Sequence, residues 1–161
     1  MKKQIDFYFD VVSPYSYVAS TLIENIAQRC NADLLWNPIL LGGIFKAVGT
    51  SNTPGLTPAK KPYLLKDLQR LSRHYGIPLQ MPPDFPVRTV LVMRALSDML
   101  PEQIPQAAHT LFNAYWADNL DIADPEVVAS LIGHEVVERA GIHEVKDALF
   151  KNTEEAVKRG A

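Results

Sequence analysis

The sequence predicts an α/β domain that opens with a βαβ unit and continues almost entirely as helix. Three observations carry that expectation. An aromatic, alternating run near the N-terminus leads directly into a Ser-Pro helix start; a second run of strand character ends before residue 40; and beyond a Gly- and Pro-rich stretch the apolar positions recur at helical spacing. With 161 residues, a net charge of −2 and 47% apolar residues, the chain has the composition of an ordinary globular domain or a domain plus insertion.

Residues 5–11 alternate apolar with polar or mixed side chains, and their aromatic and β-branched content favours a strand. Ser13 can cap the helix that follows. Pro14 suits its first position, where a missing N–H would have been unpaired anyway, and Tyr17, Leu22, Ile23 and Ile26 form its apolar stripe. Asn31 is the expected stop, and residues 32–39 read as a second strand with Pro38 at an edge or exit. Strand, helix, strand at this spacing implies parallel pairing with a right-handed crossover. Residues 42–58, rich in Gly, Ser, Thr, Asn and Pro, are expected to form a long loop, and loops of that length are often functional. Thr57-Pro58 opens a helix that Gly76 closes, and residues 78–86 form a proline-rich connection. Further helices are expected over 87–100, 104–116, 125–132, 135–140 and 143–159. Phe7, Phe9 and Leu35 are too apolar for open solvent, yet two parallel strands alone make a marginal sheet. The last residues, Val157 to Ala161, read as a helix end with a glycine stop, where a further strand would begin, so the expectation is a truncated polypeptide.

Charge and motif content narrow the function classes. A near-neutral chain with no Lys/Arg block gives no footprint for nucleic acid, and no apolar run approaches a membrane span. Met1-Lys2-Lys3-Gln4 enters a strand pattern rather than a signal peptide, so a cytoplasmic protein is expected. Cys30, the single cysteine, allows neither an internal disulfide nor a dithiol redox centre, and at a helix end it reads as an inert or surface thiol. His134-Glu135-Val136-Val137-Glu138 lacks the second histidine of a zinc-protease helix, and His74, His109 and His143 have no partners at metal spacing, so no metal is expected.

The chemistry-bearing feature is Ser13-Pro14-Tyr15-Ser16, placed where the first strand turns into the first helix. Unpaired N–H groups and the positive end of a helix dipole favour an anion there by roughly 0.3–2 kcal/mol. A serine hydroxyl in that place can donate to the sulfur of an external thiol and hold it as thiolate. It can equally be a helix cap and nothing more, and these residues alone leave both readings open. The turn resembles that of thioredoxin-fold disulfide oxidoreductases, with serine at both positions of Cys-x-x-Cys.

A longer, ordered set of segments carries a family resemblance. It comprises Asp6-Phe7-Tyr8-Phe9-Asp10-Val11-Val12-Ser13-Pro14-Tyr15-Ser16-Tyr17-Val18-Ala19, then Pro38-Ile39-Leu40-Leu41-Gly42-Gly43-Ile44-Phe45. Next come Lys61-Pro62-Tyr63-Leu64-Leu65-Lys66-Asp67-Leu68-Gln69-Arg70 with Tyr75-Gly76-Ile77-Pro78, and Phe85-Pro86 with Met93-Arg94-Ala95. Tyr115-Trp116-Ala117-Asp118 leading to Asp121-Ile122-Ala123-Asp124-Pro125 completes it. Together these resemble the 2-hydroxychromene-2-carboxylate isomerases and kappa-class glutathione transferases. The resemblance implies an α/β, thioredoxin-like (DsbA-like) domain with a helical insertion: residues 1–45 as its βαβ part, 46–140 as the insertion and 141–161 as the returning helix, with the C-terminal strands absent. In the family a cis-proline strand follows and supplies the other half of the glutathione site.

The resemblance also implies glutathione as cofactor, Ser13 as the catalytic group touching its sulfur, and Asn52 and Lys61 as further glutathione-binding residues, with Lys60 competing for the place of Lys61. A small aromatic substrate and a homodimer go with it, and neither nucleic acid nor membrane. Asp67 and Arg70, three apart on one helix, are expected to form a surface ion pair. Trp116 either lines the substrate pocket or lies in the core, and Arg88 falls near a position where many relatives carry Asn. The implied activity is glutathione-dependent isomerisation of an aromatic-degradation intermediate. Kappa-type conjugation is the alternative, and a non-catalytic fragment or thiol-binding module is a third reading.

Overall fold

A computed structural model describes residues 3–50, 58 and 60–160. Strand β1 (Lys3–Phe9), helix α1 (Pro14–Arg29) and strand β2 (Ala32–Pro38) form the βαβ unit, followed by α2 (Leu41–Ala47), α3 (Lys60–Tyr75), α4 (Val90–Asp98), α5 (Ile104–Trp116), α6 (Pro125–Ile132), α7 (His134–Arg139) and α8 (His143–Lys158). The strands pair in parallel, with Phe7 opposite Trp36 and Phe9 opposite Pro38, and make a two-stranded sheet among the described residues. Asn31 ends the first helix in the left-handed region, φ 48°, a conformation that Asn tolerates better than most side chains.

The core runs from this sheet into α5. Phe7 and Phe9 stack at 5.4 Å, Trp36 meets both edge-on, and Phe112 of α5 lies 5.8 Å from Phe9 and from Tyr17. Such pairs add about 0.5–1.5 kcal/mol each beyond their buried area. Trp116 continues the stack beside Tyr17 and donates its indole N–H to the carbonyl of Val11 at 2.8 Å. The helices thus pack on the end of β1 and hold the turn that follows it.

The structure departs from the sequence reading in four places. The stretch expected to be loop begins with α2, whose Ile44 packs with Ile39 and Ala156 of α8; its two glycines and missing side-chain cap concealed it. Helix α4 starts at Val90 rather than residue 87, because 87–89 follow the wall of the site described below. β1 lies two residues earlier than expected, since Asp10 to Ser13 form a turn. Ile26, expected in the apolar stripe of α1, and Leu35, expected to avoid open solvent, are 43% and 41% exposed. Among the described residues, no helix is long and apolar enough to cross a membrane.

Candidate functional site

The turn after β1 is built by Asp10. Its backbone carbonyl accepts from the Ser13 N–H at 3.0 Å. Its buried carboxylate accepts from the Val12 N–H at 3.1 Å and from the Leu41 N–H at 2.9 Å, with the Thr89 hydroxyl as a third partner. One side chain therefore ties the end of β1 to the first residue of α2 and the residue preceding α4. Burial pushes the Asp10 pKa above its ordinary value, while the bonds from Leu41, Val12 and Thr89 oppose that shift by favouring the ionised form.

Ser13 caps α1. Its backbone is extended (φ −85°, ψ 116°), its Oγ accepts from the Ser16 N–H at 3.2 Å, and Pro14 occupies the first turn. The oxygen is used as an acceptor, so the hydroxyl hydrogen remains to donate outward at the positive end of α1. It faces a cleft of about 640 Å³ whose walls are mainly apolar: Val12 and Pro14 from the turn, Leu40 and Phe45 around α2, Leu64 from α3, and Phe85 and Val87 from the loop before α4. Tyr15 also lines the cleft and donates its hydroxyl to Asp67 of α3 at 2.9 Å. Partial burial, then the hydrogen bond and negative charge of Asp67, push the Tyr15 phenol up to about 12, so it is neutral at physiological pH.

The residues marked by sequence fall unevenly around this cleft. Ser13 is part of its wall. Lys61 and Lys60 are exposed in the first turn of α3 and do not line it, and Asn52 lies outside the described residues. The expected Asp67–Arg70 pair is not formed, because Asp67 reaches across to Tyr15 instead. Trp116 is fully buried, so it belongs to the core and not to the pocket. Arg88 lines the cleft, as do Thr89 and Asp10. Sequence reasoning passed over Asp10; the available signal was an Asp at a strand end that could bond the second N–H after it. A separate cleft of about 630 Å³ between α2, α4 and α8 contains Lys46, Arg94, Lys146 and Lys158 but, among the described residues, no hydroxyl at a helix start to hold a thiol.

A spare hydroxyl hydrogen, the positive end of a 16-residue helix and an adjoining apolar cleft suit a thiol partner that ionises against Ser13. Among the described residues no cluster of His, Cys, Asp and Glu is suited to a metal ion, and Cys30 is an exposed thiol at the far end of α1.

Comparison with known proteins places this geometry in context. The family described as "DSBA-like thioredoxin domain" matches residues 4–161. Human glutathione S-transferase kappa 1 is 30% identical over 179 residues, covering 100% of this chain and 78% of the relative. The 2-hydroxychromene-2-carboxylate isomerase of Pseudomonas putida is 30% identical over 133 residues, covering 82% of this chain and 64% of the relative. A solved structure of 2-hydroxychromene-2-carboxylate isomerase superposes with a TM-score of 0.83 at 25% identity, over 98% of this chain and 81% of that one.

Proposed function

Because the chain belongs to the family of DSBA-like thioredoxin domains, with kappa-class glutathione transferases and 2-hydroxychromene-2-carboxylate isomerases as relatives, we propose that it binds glutathione at the Ser13 turn and isomerises 2-hydroxychromene-2-carboxylate-like intermediates of aromatic-compound degradation. The observation that carries this reading is the Ser13 hydroxyl, committed as acceptor to Ser16 and free as donor toward the cleft. Glutathione bound there would supply a thiolate for reversible conjugate addition, in which an enone-like double bond becomes single, rotates and is restored on elimination. Ser13 donates its hydrogen to the sulfur and favours the ionised thiol over the neutral one. The apolar walls exclude water from the reacting carbon. Neutral Tyr15, fixed by Asp67, adds no negative charge to oppose the thiolate. Lys61, exposed on α3, and Asn52 are assigned as contacts to the rest of the tripeptide.

A second reading, conjugation of glutathione to an electrophile, is favoured by the human kappa relative, which matches across the whole chain. It uses the same nucleophile without the elimination. Equilibrium titration with glutathione, followed by product analysis after turnover, separates the readings. Saturable binding with all glutathione recovered and the substrate isomerised supports the isomerase. A stable conjugate moves the assignment to the transferase. Failure to bind glutathione overturns both and leaves a non-catalytic module.

A further inference from the structure

We propose that Arg88 is the specificity-determining residue of the Ser13 cleft, selecting electrophiles that carry a carboxylate on a flat, apolar body. The proposal deepens the glutathione reading and rests on it for the reaction, while the recognition rests on the charges in the cleft. Among the described residues two charged side chains line it, Asp10 and Arg88. Asp10 is buried, and its oxygens are taken by Val12, Leu41 and Thr89, so it offers a ligand no free acceptor. Arg88 is exposed and pairs with no carboxylate among the described residues, whereas Arg139 and Arg159 are each held by acidic partners. Among the described residues the accessible charge of the cleft is thus a single guanidinium, set among Val12, Leu40, Phe45, Leu64, Phe85 and Val87.

Such a wall gains from a planar hydrocarbon body and loses from a polar one, and the guanidinium offers forked donors that match a carboxylate in two parallel hydrogen bonds. Ser13 lines the same cleft. A ligand anchored at Arg88 by its carboxylate therefore presents its apolar body to the space beside the bound thiol, where an electrophilic carbon has to lie. A neutral electrophile of the same shape fills the apolar walls but leaves the guanidinium unmatched.

Glutathione also carries carboxylates, so the test separates the two sources. Arg88→Gln and Arg88→Lys are compared with the unaltered protein using reduced glutathione alone, cinnamate alone, and a matched pair of thiol-reactive enones, benzoylacrylic acid and its methyl ester. Loss of a charged hydrogen-bonding partner should weaken cinnamate binding in Arg88→Gln by about ten- to a hundredfold. The acid-to-ester ratio of kcat/KM should fall by a similar factor, through KM rather than kcat, and Arg88→Lys should restore part of it. Equal losses on acid and ester, no loss on either, or a loss confined to glutathione binding would each overturn the proposal. If the unaltered protein binds no glutathione but binds cinnamate through Arg88, the proposed reaction falls and the carboxylate site stands.

Discussion

Ser13 and Asp10 divide the work of one turn, and the two are separable by mutation. On the proposed glutathione reading Ser13 contributes a donor, so Ser13→Ala should leave glutathione affinity within about tenfold, raise the pKa of the bound thiol and cut turnover by roughly ten- to a thousandfold. Thiolate absorbance and rate, both unchanged in the variant, would sink that assignment. Asp10 contributes geometry: Asp10→Ala strands the N–H groups of Val12 and Leu41 and the Thr89 hydroxyl, at a cost on the order of 2–4 kcal/mol. Its pH dependence has an unusual sign for a carboxylate. Burial raises its folded pKa above the ordinary 3.8, so between the unfolded and folded values the native state holds the extra proton. The stabilisation linked to that proton is complete below 3.8 and is lost as pH rises through the folded value. The stability advantage of the unaltered protein over Asp10→Ala should therefore shrink from pH 4 upward and then level off; denaturant titrations at several pH values that show it growing would contradict this. Ser13 was legible in the sequence because a cap bonds its own helix. Asp10 was not, because its partners Leu41 and Thr89 reach it only after folding.

The same contrast between local and distant causes decides which elements could be read in advance. Helices α5 and α6 begin and end where Ile104, Trp116, Pro125 and Ile132 place them in the sequence pattern, because their apolar faces repeat over full turns. Helix α2 could not be read, since Gly42 and Gly43 weaken its intrinsic preference and its stability comes from packing on α8. The two glycines should answer oppositely to alanine. A Cβ on Gly42 meets nothing within 4 Å, so Gly42→Ala should stabilise the protein by about 0.5–1 kcal/mol. A Cβ on Gly43 meets Cγ2 of Thr153 at 3.1 Å. That methyl cannot swing aside freely, because the Thr153 hydroxyl accepts from the Leu40 N–H at 3.0 Å and donates to the Leu149 carbonyl at 2.8 Å. Gly43→Ala should therefore force α8 outward and destabilise by roughly 1–3 kcal/mol. Urea melts of the two variants, ranked in the same direction, would show that α2 is not held by this contact.

The βαβ unit and the helices that follow share one core, which bears on how the molecule unfolds. Phe7, Phe9 and Trp36 of the sheet and Leu111, Phe112 and Trp116 of α5 belong to the same buried cluster, and its hydrogen bonds cross between the parts. The Tyr17 hydroxyl donates to the Pro78 carbonyl at 2.8 Å, and the Trp116 indole donates to Val11 at 2.8 Å. An aromatic stack continuous through Phe112 gives neither part a separate interior to keep when the other opens. The two tryptophans report on its two ends: Trp36 sits on β2 and Trp116 at the last turn of α5. Single-tryptophan proteins, Trp36→Phe and Trp116→Phe, should each unfold in one cooperative step. Adding Phe112→Ala, which empties a fully buried site between the two reporters, should cost about 3–5 kcal/mol in either background. For a protein of this length that is a fall in Tm of roughly 6–20 °C, and the fluorescence of Trp36 and that of Trp116 should move by the same amount. A shift seen by one tryptophan alone, or two resolved transitions, would mean that the sheet and the helices are stabilised independently and that the Ser13 turn is held by the βαβ unit without help from α5.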